Sequence, residues 1–440
     1  MTHRPPASRT MDVGALERVE GEGGMHVEVH DGRVVDVQLR IYEPPRFFEA
    51  FLRGRAYTEP PDITARICGI CPVAYQMSAC RALEAACGIE VGGPLRALRR
   101  LLYAGEWIES HTLHVVMLHA PDFLGYENAI ALAADHRDRV EAGLTLKRIG
   151  NELVELVGGR AVHPVNVRVG GFYRVPTRRE LIAFRPRLEL AHGLAVELVR
   201  WVAGFDVPEA DTHGTTLVAL QHPTEYAVLD GRVVSSAGLD LDDADFDAAI
   251  RETHVAHSNA LHAHLRDGEH YLVGPLARWG LNGHLIGGAA AELAAEVGLE
   301  LPVTNPFRSI VVRAVEVLHA CDTALAIVDG YEEPDAPVVA AEPQAASGAA
   351  ATEAPRGLLF HRYDLADDGT ITDAVIIPPT SQNQPTIEHD LWHLVEDHLT
   401  DGGFDLGREA LSLLCEQAIR NHDPCISCAT HFLDLRVVER

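Results

Sequence analysis

Apolar residues alternate with other residues at Met25, Val27 and Val29, and again at Val35, Val37 and Leu39. Asp31-Gly32 stands between the two runs and suits a tight reversal, so the pattern predicts a β-hairpin inside a small β unit over residues 12–42. From Pro45 to about Leu156 the apolar spacing becomes helical. Val73 to Cys87 is one such run, closed by Gly88, and Pro94 to His119 is another. Residues 158–177 are rich in Gly and Pro and predict a loop; 178–204 predict a long amphipathic helix. Short β-like runs occupy 205–248 around Asp230-Gly231. Residues 249–330 return to a helical pattern, punctuated by Gly and Pro near 274–288. The stretch 331–352, rich in Ala, Pro and Glu, predicts an exposed low-complexity connection. A β-like patch over 359–379 precedes a helical segment from about 384 to 420. The expected fold is mainly α with small β additions (α+β), built on a large helical core. No repeat period or firm boundary divides the chain, so residues 1–440 read as a single domain.

Composition narrows the function. The 440 residues are 47% hydrophobic and 23% charged, as in an ordinary globular protein. The formal charge of −27 argues against nucleic acid as a partner, which requires clustered Lys and Arg. No run of about 18 apolar residues predicts a membrane span. The N-terminus has no apolar leader core, which leaves the cytoplasm as the expected location.

Four of the eight cysteines form two C-x-x-C pairs, Cys68/Cys71 and Cys425/Cys428. Two intervening residues let both sulfurs of a pair address one ion, and two pairs make an S₄ set for a soft or borderline metal. A structural zinc site is one reading. Zinc ribbons place their pairs roughly 15–20 residues apart, whereas 353 residues separate Cys71 from Cys425. A thioredoxin-like site lacks its βαβ surroundings. Cys80, Cys87, Cys321 and Cys415 read as small buried apolar residues. His254, His257, His262 and His264 look like a metal cluster. On a helix three of them would share a face and His262 would not, so they read as structural or surface residues. The acidic runs at 240–245 and 332–335 read as solvated surface.

R-I-C-G-I-C-P at 66–72 and D-P-C-I-S-C-A-T-H at 423–431 resemble the large subunit of nickel–iron hydrogenases. Arg18-Val19-Glu20-Gly21, Gly158-Gly159-Arg160 with His163-Pro164, 273–278 (VGPLAR) and 353–357 (EAPRG) agree, so the resemblance spans roughly residues 15–431. P-V-A-Y-Q after the first pair and P-P-T-S-Q-N at 378–383 are most similar to the NADP-linked subgroup, group 3b. The resemblance implies heterolytic interconversion of H₂ with protons and electrons at a Ni–Fe centre carrying CO and two cyanides on Fe. Cys68 and Cys425 would be terminal on Ni; Cys71 and Cys428 would bridge the metals. The proton would pass from Cys425 to Glu20, which taken alone is an exposed acid in V-E-G-E-G. Arg356 would stand over the open coordination position, with Asp423, Pro355, Thr380 and His111 around the centre. A Mg²⁺, or an Fe, would be held by Glu49, the carbonyl of Ile376 and His431. The remaining cysteines are scattered and no G-x-G-x-x-G loop occurs. Electrons would therefore leave through an iron–sulfur small subunit, with flavin and NAD(P)-binding diaphorase subunits beyond it. A maturation protease would remove the tail 432–440 after nickel-insertion proteins have acted. Tyr75 and Ser110-His111 depart from the uptake-type pattern of the family. The alternatives are a deazaflavin- or NAD-linked hydrogenase, a hydrogen sensor, and a zinc-stabilised structural subunit of a redox complex.

Overall fold

The computed structural model describes residues 8–400 and 403–430. Strands β1 (Ser8–Val13), β2 (Gly23–His30) and β3 (Arg33–Ile41) form an antiparallel sheet in the order β1-β2-β3. Asp31 and Gly32 both take positive φ, 49° and 73°, as a two-residue hairpin turn requires. Met25, Val27, Val29, Val37 and Leu39 are buried as expected. Val35 is not: the register shifts there, pairing Val29 with Val34 and Glu28 with Asp36, so Val35 falls in a bulge and is 46% exposed.

The short helix α1 (Phe48–Leu52) leads to α2 (Pro72–Ala86), α3 (Gly93–Thr112), α4 (Arg137–Gly158) and α5 (Arg178–Ala203). Helix α3 runs on through a π-helical segment, Leu113–His119. A capping box between Thr177 and Glu180 starts α5. Strands β4 (Thr216–Gln221) and β5 (Arg232–Ser235) pair around Asp230-Gly231, as the pattern predicts.

Residues 249–272 depart from the helical expectation. They form β6 (Ile250–Thr253) and β7 (His262–Leu265), an antiparallel pair with a long loop between them. The four histidines therefore share no helix. Helix resumes at Pro275, and the long helix α6 (Ser309–Gly330) packs on α3 and α5 in the main core.

The connection 331–352 also differs from its expected exposure. Val339 N–H donates to Gly170 O, and Phe172 N–H to Pro337 O. Residues from Ala346 onward form β8 (Ala346–Ala354), which joins β9 (Gly357–Leu365) and β10 (Ile371–Ile377) in one antiparallel sheet against α2. The small residues are a packing requirement. A Cβ at Gly348 would collide with the Ala82 carbonyl oxygen of α2. Helices α7 (Pro379–Asp397), α8 (Arg408–Asn421) and α9 (Ile426–Ala429) follow. The four other cysteines are buried and free. Asp243 of the first acidic run is only partly exposed and pairs with Arg81.

Candidate metal centre

Each C-x-x-C pair sits where a helix begins. Cys71 occupies the N-cap of α2 and Cys425 that of α9. Cys68 Sγ accepts the N–H groups of Ile70 (3.3 Å) and Cys71 (3.4 Å), so the loop folds its own donors onto the sulfur. Arg46, which the sequence pattern did not single out, ties the two loops together: its Nη2 donates to Ile67 O (2.7 Å) and to Ser427 O.

The ends of the chain thus meet at one buried point. Cys68 Sγ lies 3.6 Å from Cys425 Sγ, and Cys71 Sγ 4.0 Å from Cys428 Sγ. All four sulfurs lie within 4.8 Å of one another. A metal–thiolate bond of about 2.3 Å in tetrahedral geometry implies sulfurs ~3.8 Å apart, and the two cross-loop pairs, at 3.6 and 4.0 Å, stand close to that. Hydrogen bonds from Cys425, Cys428 and Cys71 hold the Cys68 thiol well below its ordinary range, while burial pushes Cys425 well above. Buried thiolates in such a set call for a cation, and soft donors select a transition metal. The residues fit a Ni–Fe centre.

Glu20 is brought against this set. Its backbone bridges Cys425, and its carbonyl accepts Ile426 N–H at 2.9 Å. Glu20 Oε2 lies 3.1 Å from Cys425 Sγ and accepts Ser427 N–H at 3.1 Å; Ser427 Oγ donates to Oε1. Gly21 makes this approach possible. It has φ 91°, and a Cβ there would stand 2.7 Å from Ile426 Cβ.

Arg356 and Pro355 form the turn between β8 and β9. Arg356 is buried; its Nε donates to Asp423 O (2.8 Å) and its Nη2 to Asp423 Oδ1 (3.2 Å). Among the described residues its Nη1 and Asp423 Oδ2, both buried, have no hydrogen-bond partner. Burial opposes the guanidinium charge, but Asp423 and the cysteines hold its pKa well above normal. Asp423 itself has φ 50°, and burial raises its carboxyl despite Arg356. Pro355 O accepts from Arg278 Nη2 at 2.9 Å. Thr380, in the first turn of α7, accepts Cys425 N–H on its Oγ1 at 3.0 Å.

His111 is placed in an acid–base network. Its Nε2 lies 3.0 Å from Glu316 Oε2, and Arg278 pairs with both Glu316 and Glu353. Burial pushes His111 down to about 4. These buried charges look like surface residues in the sequence. So does Glu106, whose carboxylate accepts Val73 N–H (2.6 Å) and Ala74 N–H (3.0 Å) at the start of α2. Burial pushes Tyr75 well up, helped by Cys428 beside it.

Glu49 Oε1 accepts the N–H of Ile376 at 2.8 Å, so these two expected cation-site residues do meet. Glu252 of β6, part-buried with its Oε1 shielded from solvent and raised well above the ordinary range by desolvation and then by Glu49, was not anticipated because its segment read as helix. His431 and the tail 432–440 lie outside the described residues.

With this geometry in view, the likenesses to known proteins are informative. The family described as nickel-dependent hydrogenase matches residues 46–148 and 308–431. The alpha subunit of sulfhydrogenase 1 from Pyrococcus furiosus is 32% identical over 423 residues, covering 96% of this chain and 97% of that protein. The matching subunit of an F420-non-reducing hydrogenase from Methanothermobacter thermautotrophicus is 30% identical over 453 residues, covering 95% and 94%. The solved structure of an NAD⁺-reducing [NiFe]-hydrogenase in the H₂-reduced state superposes with a TM-score of 0.86 at 29% identity, covering 96% of this chain and 99% of that one. The fold and the four-cysteine site define an oxidoreductase acting on hydrogen. The chain belongs to the nickel-dependent hydrogenase family, as its catalytic large subunit.

Proposed function

We propose that the chain interconverts H₂ with protons and electrons in a soluble cytoplasmic complex that exchanges electrons with NADP(H). The observation that carries this reading is the convergence of two cysteine pairs, 353 residues apart in sequence, within 4.8 Å of one another and against Glu20. It also supports treating the chain as one domain.

When bound, a Ni–Fe centre with CO and two cyanides on Fe supplies the two-electron redox chemistry. Cys68 and Cys425 would hold Ni; Cys71 and Cys428 would be shared with Fe. The chain's own work is proton handling and enclosure. With the centre loaded, Cys425 Sγ would hold the proton released there, and Glu20 Oε2, at 3.1 Å, is placed to receive it. Ser427 fixes both oxygens of Glu20, so the carboxyl is oriented before the proton arrives. Arg356, positioned by Asp423, would offer its Nη1 edge to the centre. Thr380 holds the Cys425 backbone still, Pro355 closes the turn that carries Arg356, and His111 sits in the buried charge network behind it. A Mg²⁺ would be held by Glu49, the Ile376 carbonyl and His431, with Glu252 nearby adding negative charge.

An iron–sulfur small subunit would carry the electrons to flavin and NAD(P)-binding diaphorase subunits; nickel-insertion proteins and a maturation protease would act on the chain before assembly. The motifs at 72–76 and 378–383, similar to the NADP-linked subgroup, support that assignment, and the NAD⁺-reducing structure makes NAD⁺ the rival carrier. Among the described residues no helix is long and apolar enough to cross a membrane. The test is the infrared spectrum of the purified complex with H₂-dependent reduction of NADP⁺ and NAD⁺. One CO band, two cyanide bands and faster NADP⁺ reduction are expected. Zinc on the cysteines without such bands would overturn the reading.

A further inference from the structure

The β6–β7 hairpin and α7 bring together ligand-type side chains apart from the four cysteines. Register pairs Glu252 with Ala263 on one face of the hairpin, and Thr253 with His262 on the other. His262 there meets His257, from the connecting loop, and Glu388 of α7. Glu388 Oε1 lies 2.8 Å from His257 Nε2, and its Oε2 lies 4.0 Å from His262 Nδ1. One ligand atom from each residue lies within 4.8 Å of the other two. His262 is 3% exposed and, among the described residues, its Nε2 has no hydrogen-bond partner. Among the described residues no Arg or Lys nitrogen lies within 4.0 Å of the Glu388 carboxylate, which pairs only with these two imidazoles. Leu39 N–H of β3 donates to Glu388 Oε1 at 2.8 Å and aims it at the histidines.

Two imidazoles and one carboxylate are a ligand set for a borderline divalent cation, with a position left for water. Nitrogen ligands disfavour Mg²⁺ and Ca²⁺, which take oxygen. We propose that His257, His262 and Glu388 form a second metal site, for a cation of the Zn²⁺ class. Burial pushes His262 down to about 4, so at neutral pH its imidazole is uncharged with a lone pair to donate. A cation bound at His257 Nε2 requires the neutral ring to carry its proton on Nδ1, a change of tautomer; no covalent bond of the chain is broken and no electron moves. The cation would fasten the hairpin and its loop to α7, whose Glu388 also accepts the Leu39 N–H of β3.

Co²⁺ is the probe, because sulfur ligation adds an intense charge-transfer band that nitrogen and oxygen ligands lack. The full-length protein, purified from a host with the nickel–iron maturation machinery, is titrated with Co²⁺ and then back-titrated with Zn²⁺. One equivalent without a thiolate band is expected. His262→Ala and Glu388→Gln should each weaken binding by at least about tenfold with H₂ turnover unchanged. Glu388→Gln keeps an acceptor for Leu39 N–H, so it separates loss of metal from loss of fold. Zn²⁺ should raise the Tm of the native sequence and not that of Glu388→Gln. No Co²⁺ bound by the native protein, equal affinity in both variants, or a thiolate band untouched by them would each overturn the site.

Discussion

Glu20 Oε2 rests 3.1 Å from the sulfur of Cys425, although the two stand 405 positions apart in the chain. The contact is built by the backbone before the side chains contribute. A bridge between Glu20 and Cys425, the Glu20 O to Ile426 N–H bond and the glycine at 21 set the approach. The carboxyl is then held on both oxygens by Ser427. A carboxyl so restrained beside a buried thiol is suited to proton exchange.

Replacing Glu20 by Gln preserves the acceptor for Ser427 N–H and removes the exchangeable proton. H₂ turnover should fall by about 10²–10⁴-fold, while nickel content and the infrared bands stay as in the native protein. Loss of the bands together with the activity would make Glu20 a structural element of the centre and not its proton partner.

Arg356→Lys tests whether the planar guanidinium matters beyond its charge. Lysine cannot reach Asp423 O and Oδ1 together while leaving a third donor directed elsewhere. Turnover should drop by at least about tenfold, and stability by about 1–3 kcal/mol as Asp423 loses partners in a buried site. Thermal unfolding beside H₂ uptake reads both. Unchanged turnover would reduce Arg356 to a brace for the loop.

Thr380→Val removes the acceptor of Cys425 N–H at nearly constant volume. A buried amide left unpaired costs about 1–3 kcal/mol, and the Cys425 loop should loosen. The expected result is a lowered Tm with reduced nickel per chain. Full nickel occupancy and unaltered Tm would show that the 3.0 Å bond is dispensable.

The parts of this fold that could be read in the sequence are those where local pattern and tertiary role agree. Asp31-Gly32 between alternating valines is one, and Thr177 with Glu180 at the head of a periodic run is another. The cysteine pairs were legible because thiols at that spacing have few other uses, and the resemblance supplied roles for Glu20 and Arg356 that composition could not. Three things were hidden. Ala346–Ala354 looks like a linker because its small residues are demanded by α2, a partner far away in sequence. His257 and His262 meet through a hairpin whose strands are four residues each, too short for a period to register. Glu106, Glu316 and Glu353 carry the charge of surface residues but are buried against backbone N–H groups and Arg278. Burial of a charge is decided by its partner, which the local sequence does not contain.

His111 provides the pH dependence. Its folded pKa is about 4, against an ordinary 6.5, because burial disfavours the imidazolium more than Glu316 favours it. The unfolded chain therefore binds a proton at His111 more readily than the native chain does between those values. Stability rises with pH across this window and is lost as pH falls from about 6.5 towards 4. At pH 5 the shift corresponds to about 2 kcal/mol less stability than at pH 7. Glu109 and Glu353, raised to about 7 mainly by burial, act in the opposite sense, so the whole-protein profile mixes the two. The difference between native protein and His111→Gln isolates the histidine. The stability advantage of the native side chain should be about 2 kcal/mol larger at pH 7 than at pH 5. Equal advantages at the two pH values would mean that His111 titrates alike in the folded and unfolded chain, and that its burial beside Glu316 leaves its proton affinity unchanged.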